Sequence, residues 1–294
     1  MLRVICSIPK ILIRIKQERA WLRGFAAREE LDLVISDNRY GLIVPGVFCV
    51  FLTHQLLIRT PFGRPADLLL QRMNYRLIRR FSRCWVPDVA GAGALAGVLS
   101  NPVRMPPIAT RYIGWLSRMG SGVGPVAEEH DLLVLLSGPE PQRTMLERLV
   151  LKQAADLPCR LVLVRGLPGG GPVLKGVPAT VTVHDHLPAA ALERVMAGAR
   201  LVVARSGYST VMDLARMGKR VALVPTPGQT EQEYLGRYLA EKGWAVCVPQ
   251  RDLVLRDVLR APVPGPGWPP ADGGQRLREE VLSVLRQSRP SALG

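Results

Sequence analysis

Six short apolar runs separated by helix-like or turn-like segments constrain this chain more than any other feature. They are DLLVLLS (131–137), RLVLVRG (160–166), TVTVHDH (180–186), RLVVA (200–204), RVALVP (220–225) and AVCVP (245–249). Amphipathic stretches beginning near Thr144, Ala189, Thr210 and Glu231 lie between them. Strands that alternate with helices pair in parallel, because each helix carries the chain back to the same edge of the sheet. The expected fold class is therefore α/β, with a doubly wound parallel sheet in the second half.

The first half repeats the pattern less regularly. LDLVISD (31–37), VFCVFLTH (47–54), RCWVPD (83–88) and TRYIGWL (110–116) read as strands. Residues 8–23 and 66–81 read as basic amphipathic helices, with Leu69, Leu70, Met73, Leu77 and Phe81 on the apolar side of the second. Length of 294 residues suits two domains: residues 1–118 and 131–294, with a Gly-rich linker at 119–130. Residues 260–275 read as a Pro/Gly loop, and 275–287 as a last helix.

Charge is segregated. Residues 1–120 hold 18 of the 39 Lys and Arg but only 7 of the 24 Asp and Glu. Such asymmetry points the first domain at something anionic, either phospholipid headgroups, a phosphate-bearing acceptor or nucleic acid. Arg72, Arg76, Arg79 and Arg83 form a stripe that is either a contact to such a surface or a solvated face. Nucleic acid ranks last, since there are no interleaved aromatic stacking positions and no recognised motif. The five cysteines are odd in number, dispersed and without a Cys-x-x-Cys pair, which reads as buried free thiols in a reducing compartment. No run approaches the roughly 20 apolar residues of a membrane span, so a cytoplasmic chain, peripheral at the inner face of the membrane, is expected.

Ligands of open parallel sheets sit beyond the carboxyl ends of the strands, so the loops there carry the chemistry. In LVVA-RSGYST-VMDLARMG a buried strand gives way to Arg205-Ser206-Gly207-Tyr208 and a helix capped by Ser209 or Thr210. A helix N-terminus with a glycine before it is a seat for a diphosphate, or simply a helix cap. Asp213, expected in the first helical turn, suits ribose hydroxyls or a capping role. Gln229, Gln232 and Glu233 bring amide and carboxylate groups that suit vicinal hydroxyls, or are ordinary first-turn residues. Ser137, Gly138 and Arg143 of SGPEPQRT could approach phosphates, or form a capped loop. The His184-Asp185-His186 triplet does not suggest a shared metal, because alternate residues at a strand end point oppositely.

Residues 180–246 resemble the C-terminal donor domain of glycosyltransferase family 28, whose members include the enzyme adding N-acetylglucosamine to lipid-linked peptidoglycan precursors. The order carries it: strand, Arg-Ser-Gly, helix with an acid, strand, Pro-rich loop, then Gln232-Glu233 before Tyr234. The resemblance implies two Rossmann-like domains of the GT-B type facing a cleft, the first incomplete at its start. It implies an inverting, metal-independent transfer of a hexose from a UDP-sugar, with no cofactor, to a membrane-associated or lipid-linked acceptor. By it, Ser206, Gly207 and the following amides hold the diphosphate, Asp213 the ribose, and Gln232 with Glu233 the hexose. The loop at His184 reads the uracil edge. Glu233 stands where the family has a second Gln, which leaves the sugar open.

More faintly, FLTHQL (51–56) falls where the family has a loop facing the cleft. His54 is then a contact to the acceptor or the base, or else a core histidine. The Gly-rich loop of the family's first strand has no counterpart here, so a misassigned start, a partner chain supplying the piece, or lost catalysis are the expectations. His54, Asp37 and Asp88 remain as base candidates. A UDP-sugar hydrolase and a non-catalytic UDP-sugar-binding subunit are the alternatives.

Overall fold

The structure is a computed structural model that describes residues 2–120, 127–261, 267–270 and 274–288. The chain divides into two units: residues 1–115 with 272–294, and residues 116–271.

The second unit contains β5 (His130–Leu135), α3 (Gln142–Ala154), β6 (Leu161–Val164) and β7 (Val181–His184). These are followed by α4 (Ala189–Ala197), β8 (Ala199–Ala204), α5 (Tyr208–Arg216), β9 (Val221–Leu223), α6 (Thr230–Glu241), β10 (Val246–Cys247) and α7 (Leu255–Arg260). The six strands lie in the order β10-β9-β8-β5-β6-β7, all parallel. Chain direction across the sheet reverses between β5 and β8, which makes the gap above those two strands the switch point where ligands of such sheets bind. The sheet is buried on both faces: Leu132, Val134, Leu161, Leu163, Val203 and Val224 share one core cluster with Leu146 and Val150 of α3, and Leu133 and Val202, which alternate with them, are wholly buried too. Full burial of each such side chain stabilises by about 1.5–3 kcal/mol.

The first unit contains α1 (Leu2–Ala26), β1 (Leu33–Asp37), β2 (Phe48–Leu52), α2 (Arg64–Ile78), β3 (Arg83–Val86) and β4 (Thr110–Tyr112). Its four strands lie in sequence order and pair in parallel. Cys49 and Cys84 are buried free thiols within it, and burial pushes the Cys84 thiol up to about 12. Cys159 and Cys247 of the second unit are half-buried free thiols.

Three expectations are corrected. First, the buried face of α2 is rotated: Gln71, Asn74, Tyr75 and Ile78 are buried, and Leu69 and Met73, expected on the apolar side, lie exposed with Leu68 beside Arg72 and Arg76, while Leu70 and Leu77 are half-buried and Phe81 is buried as expected. Polar partners make this orientation workable, since Asn74 accepts from Tyr40 Oη at 2.8 Å and donates to the Gln55 and Leu56 carbonyls. Similarly, among the described side chains of α1, Ile15 and Leu22 are the buried ones, and Ile11, Leu12, Ile13 and Trp21 are exposed. Second, α8 (Gln275–Ser288), expected with the second domain, belongs to the first unit, where Glu280 accepts from Arg83 at 2.9 Å. Third, Met119 of the expected linker is buried, and Ser117 and Arg118, expected to end the first domain, bond to Asp213 of the second unit. The central residues of that linker, 121–126, lie outside the described residues.

Candidate nucleotide-sugar site

The helices that follow β5, β8 and β9 all begin at the carboxyl edge of the second unit's sheet. Four amides at the start of any α-helix lack an intrahelical acceptor, and the dipole there favours negative charge. At α3 that charge is already supplied, because Glu140 accepts from the Thr144 amide at 3.2 Å. The Thr144 contacts and the Arg143 guanidinium hold the Glu140 carboxyl below its usual value. At α6 the first turn carries Glu231 and Glu233, and Glu233 also accepts from the Gly228 amide at 2.9 Å. Only α5, of these three, has neither a capping side chain nor an acid in its first turn. Its cap is Gly207 rather than Ser209 or Thr210, which lie inside the helix. A side chain built on Gly207 would meet nothing within 4 Å, so the approach to the α5 amides is open.

Arg205 is wholly buried and cannot touch a ligand, contrary to its expected place among the donor contacts. Its guanidinium donates to the Val224, Pro225 and Gln142 carbonyls and to Gln250 Oε1, at 2.7–3.1 Å. All four acceptors are neutral, so a full positive charge sits beneath the loops that follow β5, β8 and β9. Desolvation pulls its pKa down to about 10, which still leaves it protonated at neutral pH.

Ser206 is buried and its Oγ donates to the Gln232 carbonyl at 2.7 Å. Gln232 in turn accepts from the Thr226 amide through Oε1 and donates to Gln229 through Nε2. These side chains therefore shape the loops as well as lining them. Thr226 is the residue that sequence reasoning passed over: it is 2% exposed, and its Oγ1 has no hydrogen-bond partner. It lies 3.7 Å from where a Cβ on Gly138 would stand, and the Gly138 φ of +98° is one that favours glycine. The loop after β5 and the loop after β9 thus meet above the end of β8, around one unspent hydroxyl. A buried polar group left unpaired costs about 1–3 kcal/mol, so an incoming hydrogen-bonding ligand relieves it.

Asp213 lies in the second turn of α5 rather than the first. Its carboxylate accepts from Ser117 Oγ at 2.8 Å, from the Arg118 amide at 3.3 Å and from Arg118 Nε at 3.1 Å. Arg143 is likewise corrected. Instead of reaching toward a phosphate it is buried, bonded to Glu140 and Glu147. Glu147 also pairs with the buried Arg165, which reaches Asp185 at 2.5 Å, and Asp185 accepts from the Gly171 amide. The Gly171 amide, and then Arg165, lower the Asp185 pKa. This network fastens the 166–171 loop to the loop after β7; His184, the last residue of β7, is half-buried, with its carbonyl held by the Arg165 amide. The four-residue spacing of Arg143 and Glu147 is the signal that could have revealed it. Beyond β9 and β10 a cavity of about 490 Å³ is lined by Pro225, Pro227, Glu233, Arg237, Pro249 and Gln250, among others.

In the first unit, Asp37 is exposed at the carboxyl end of β1 and His54 is half-buried just beyond β2. His54 is therefore not a core histidine. Asp88 is corrected as a base candidate. It is wholly buried and accepts from the Val89, Leu95 and Ala96 amides and from Ser100 Oγ, so its lone pairs are committed to the loop that follows β3.

The two parallel α/β units are those of the GT-B fold of glycosyltransferases. The glycotransferase of kitacinnamycin matches with a TM-score of 0.61 at 16% identity, covering 96% of this chain and 79% of that one. Acinetobacter baumannii MurG matches with a TM-score of 0.52 at 14% identity, covering 96% and 79%. Residues 178–261 match the model of the glycosyltransferase family 28 C-terminal domain, and the second unit carries that domain. The UDP-N-acetylglucosamine--N-acetylmuramyl-(pentapeptide) pyrophosphoryl-undecaprenol N-acetylglucosamine transferase of Methylobacterium sp. (strain 4-46) is 34% identical over 262 residues, 79% of this chain and 65% of that protein. The protein of the same name from Desulforudis audaxviator is 35% identical over 96 residues, 31% of this chain. The chain spans 26% of the Desulforudis protein and 15% of the Methylorubrum extorquens (strain PA1) relative.

Proposed function

We propose that this chain is an inverting glycosyltransferase that moves a hexose from a UDP-sugar to a membrane-associated or lipid-linked acceptor. One observation carries the proposal: α5 is the helix at the switch point whose first turn has neither an acid nor a capping side chain, and the buried Thr226 of the loop after β9 has an unspent hydroxyl. A diphosphate supplies the missing charge, held by the α5 amides and by the field of buried Arg205. Stabilising the departing UDP in this way needs no metal ion. The hexose extends toward Glu233 and the adjoining cavity, the ribose toward Asp213, and the uracil toward the loop at His184. Asp213 exchanges its bonds to Ser117 and Arg118 for ribose hydroxyls. His54 and Asp37 are the groups of the first unit suited to take the acceptor proton.

An acceptor at a membrane suits the exposed face of α2, where Leu68, Leu69 and Met73 alternate with Arg72 and Arg76. Apolar side chains enter the headgroup region while the arginines meet anionic lipid. Among the described residues no helix is long and apolar enough to cross a membrane.

The deciding experiment measures UDP release from a panel of nucleotide-sugars, with and without membrane extract. Acceptor-dependent release that Thr226→Val and Asp213→Ala each reduce supports the proposal. Release of free sugar without acceptor favours a hydrolase, and failure to bind any UDP-sugar overturns the donor site.

A further inference from the structure

A second hollow, lined by arginines, lies at the amino ends of strands of the first unit. In the first unit a cavity of about 410 Å³ is lined by Arg19, Arg23, Arg80, Ser82, Val47 and Cys49, among others. Val47 immediately precedes β2 and Ser82 immediately precedes β3, so the cavity opens at the amino ends of the strands. Substrates of parallel sheets bind at the carboxyl ends, and this hollow is therefore separate from the site proposed above.

Three arginines line it, and no lining residue is acidic. Arg19 and Arg23 are four residues apart on α1, which places them on one face of the helix. Glu18, the acid nearest in sequence, is engaged elsewhere, with Arg39 at 3.2 Å and with the Gly41 amide. Cys49 contributes no charge, because burial raises its thiol, whose single S–H faces the Val44 and Val47 carbonyls. Ser82 Oγ accepts from the Cys49 amide at 3.1 Å and keeps its own proton to donate. Above all, Arg19 Nε is buried without a hydrogen-bond partner. A buried donor on a charged group is costly unless an acceptor completes it.

We infer that this cavity binds the phosphate group of a small ester, with the Arg19, Arg23 and Arg80 forks as its ligands. Guanidinium groups match phosphate oxygens in geometry and charge, and the volume admits a phosphate with a short organic part. A soluble phosphate ester and an anionic lipid headgroup present the same chemistry, and two experimental arms separate them.

The full chain is titrated with inorganic phosphate and with glycerol 3-phosphate by calorimetry, and is co-sedimented with phosphatidylglycerol or phosphatidylcholine vesicles. Arg19→Gln and Arg80→Gln are compared with Lys152→Gln, which removes one charge from the exposed surface of the second unit. Binding is expected to weaken at least ~10-fold in the first two variants and to persist in the third. Loss of glycerol 3-phosphate binding identifies a soluble ester; loss confined to phosphatidylglycerol vesicles identifies a headgroup. No binding of any of these probes by the unmodified chain, or equal binding by all three variants, overturns the inference. UDP affinity, read in the same samples, reports on the second unit independently, and Arg80, being exposed, guards against a folding defect at Arg19.

Discussion

Arg118 Nε donates to Asp213 Oδ2 at 3.1 Å, tying the first residues of the second unit to the second turn of α5. The carboxylate proposed to receive a ribose is thereby held in place by the chain that leads into its own unit. The two roles separate by mutation. Arg118→Ala is expected to cost about 0–1 kcal/mol, because the Arg118 side chain is 59% exposed and such pairs are weak. It should leave UDP affinity unchanged or raised. Asp213→Ala should weaken UDP binding at least ~10-fold, the scale of a lost hydrogen bond to a charged group. Calorimetric titration with UDP distinguishes the two.

Thr226→Val removes a hydroxyl that no group of the protein satisfies, while the Thr226 amide keeps its bond to Gln232. Thermal stability should be unchanged or raised by up to about 1 kcal/mol, whereas UDP affinity should fall. A large loss of stability would mean that the hydroxyl serves the fold.

Asp88→Asn replaces a buried carboxylate that accepts four hydrogen bonds, three from amides and one from Ser100. An amide group offers fewer lone pairs and a donor where acceptors are needed. The expected cost is about 2–3 kcal/mol in denaturant unfolding, since hydrogen bonds to charged groups are the stronger ones. A variant that keeps full stability and loses turnover would return Asp88 to the list of bases.

His130 opens β5, is buried, and has an unpartnered Nε2; desolvation lowers its pKa from 6.5. The unfolded chain therefore takes up a proton before the folded one does. Stability is fully present above about pH 6.5 and declines as the pH falls through the lowered folded value. His130→Phe should flatten that acid decline in melting curves recorded from pH 7.5 to 5, and an unaltered decline would assign it to other groups.

The strands of the second unit were legible because a sheet buried on both faces demands uninterrupted apolar runs, and Leu132 to Leu135 or Leu201 to Val203 leave little else to be. The site's frame was legible for a related reason, since the loops after β5, β8 and β9 are fixed by where those runs end. What sequence could not supply was the direction of each polar side chain. Arg205 and Arg143 look like phosphate ligands, but both turn inward, where carbonyls and Glu147 receive them. The α2 face was misjudged because Tyr40 and the Gln55 carbonyl, distant in sequence, satisfy Asn74 and so permit a polar core position. Thr226 was missed because an absent partner has no pattern.

The return of α8 to the first unit orders events on the ribosome. The second unit is one unbroken stretch, residues 116–271, and all its strands have emerged before α8 is made. Domains fold as units as they appear, so the N-terminal unit, although its strands are synthesised first, is completed last. Until Glu280 arrives, Arg83 at the start of β3 and Arg111 of β4 lack the carboxylate that bridges them at 2.9 and 3.6 Å. A nascent chain stalled short of α8 would hold a finished donor domain beside an unfinished first unit.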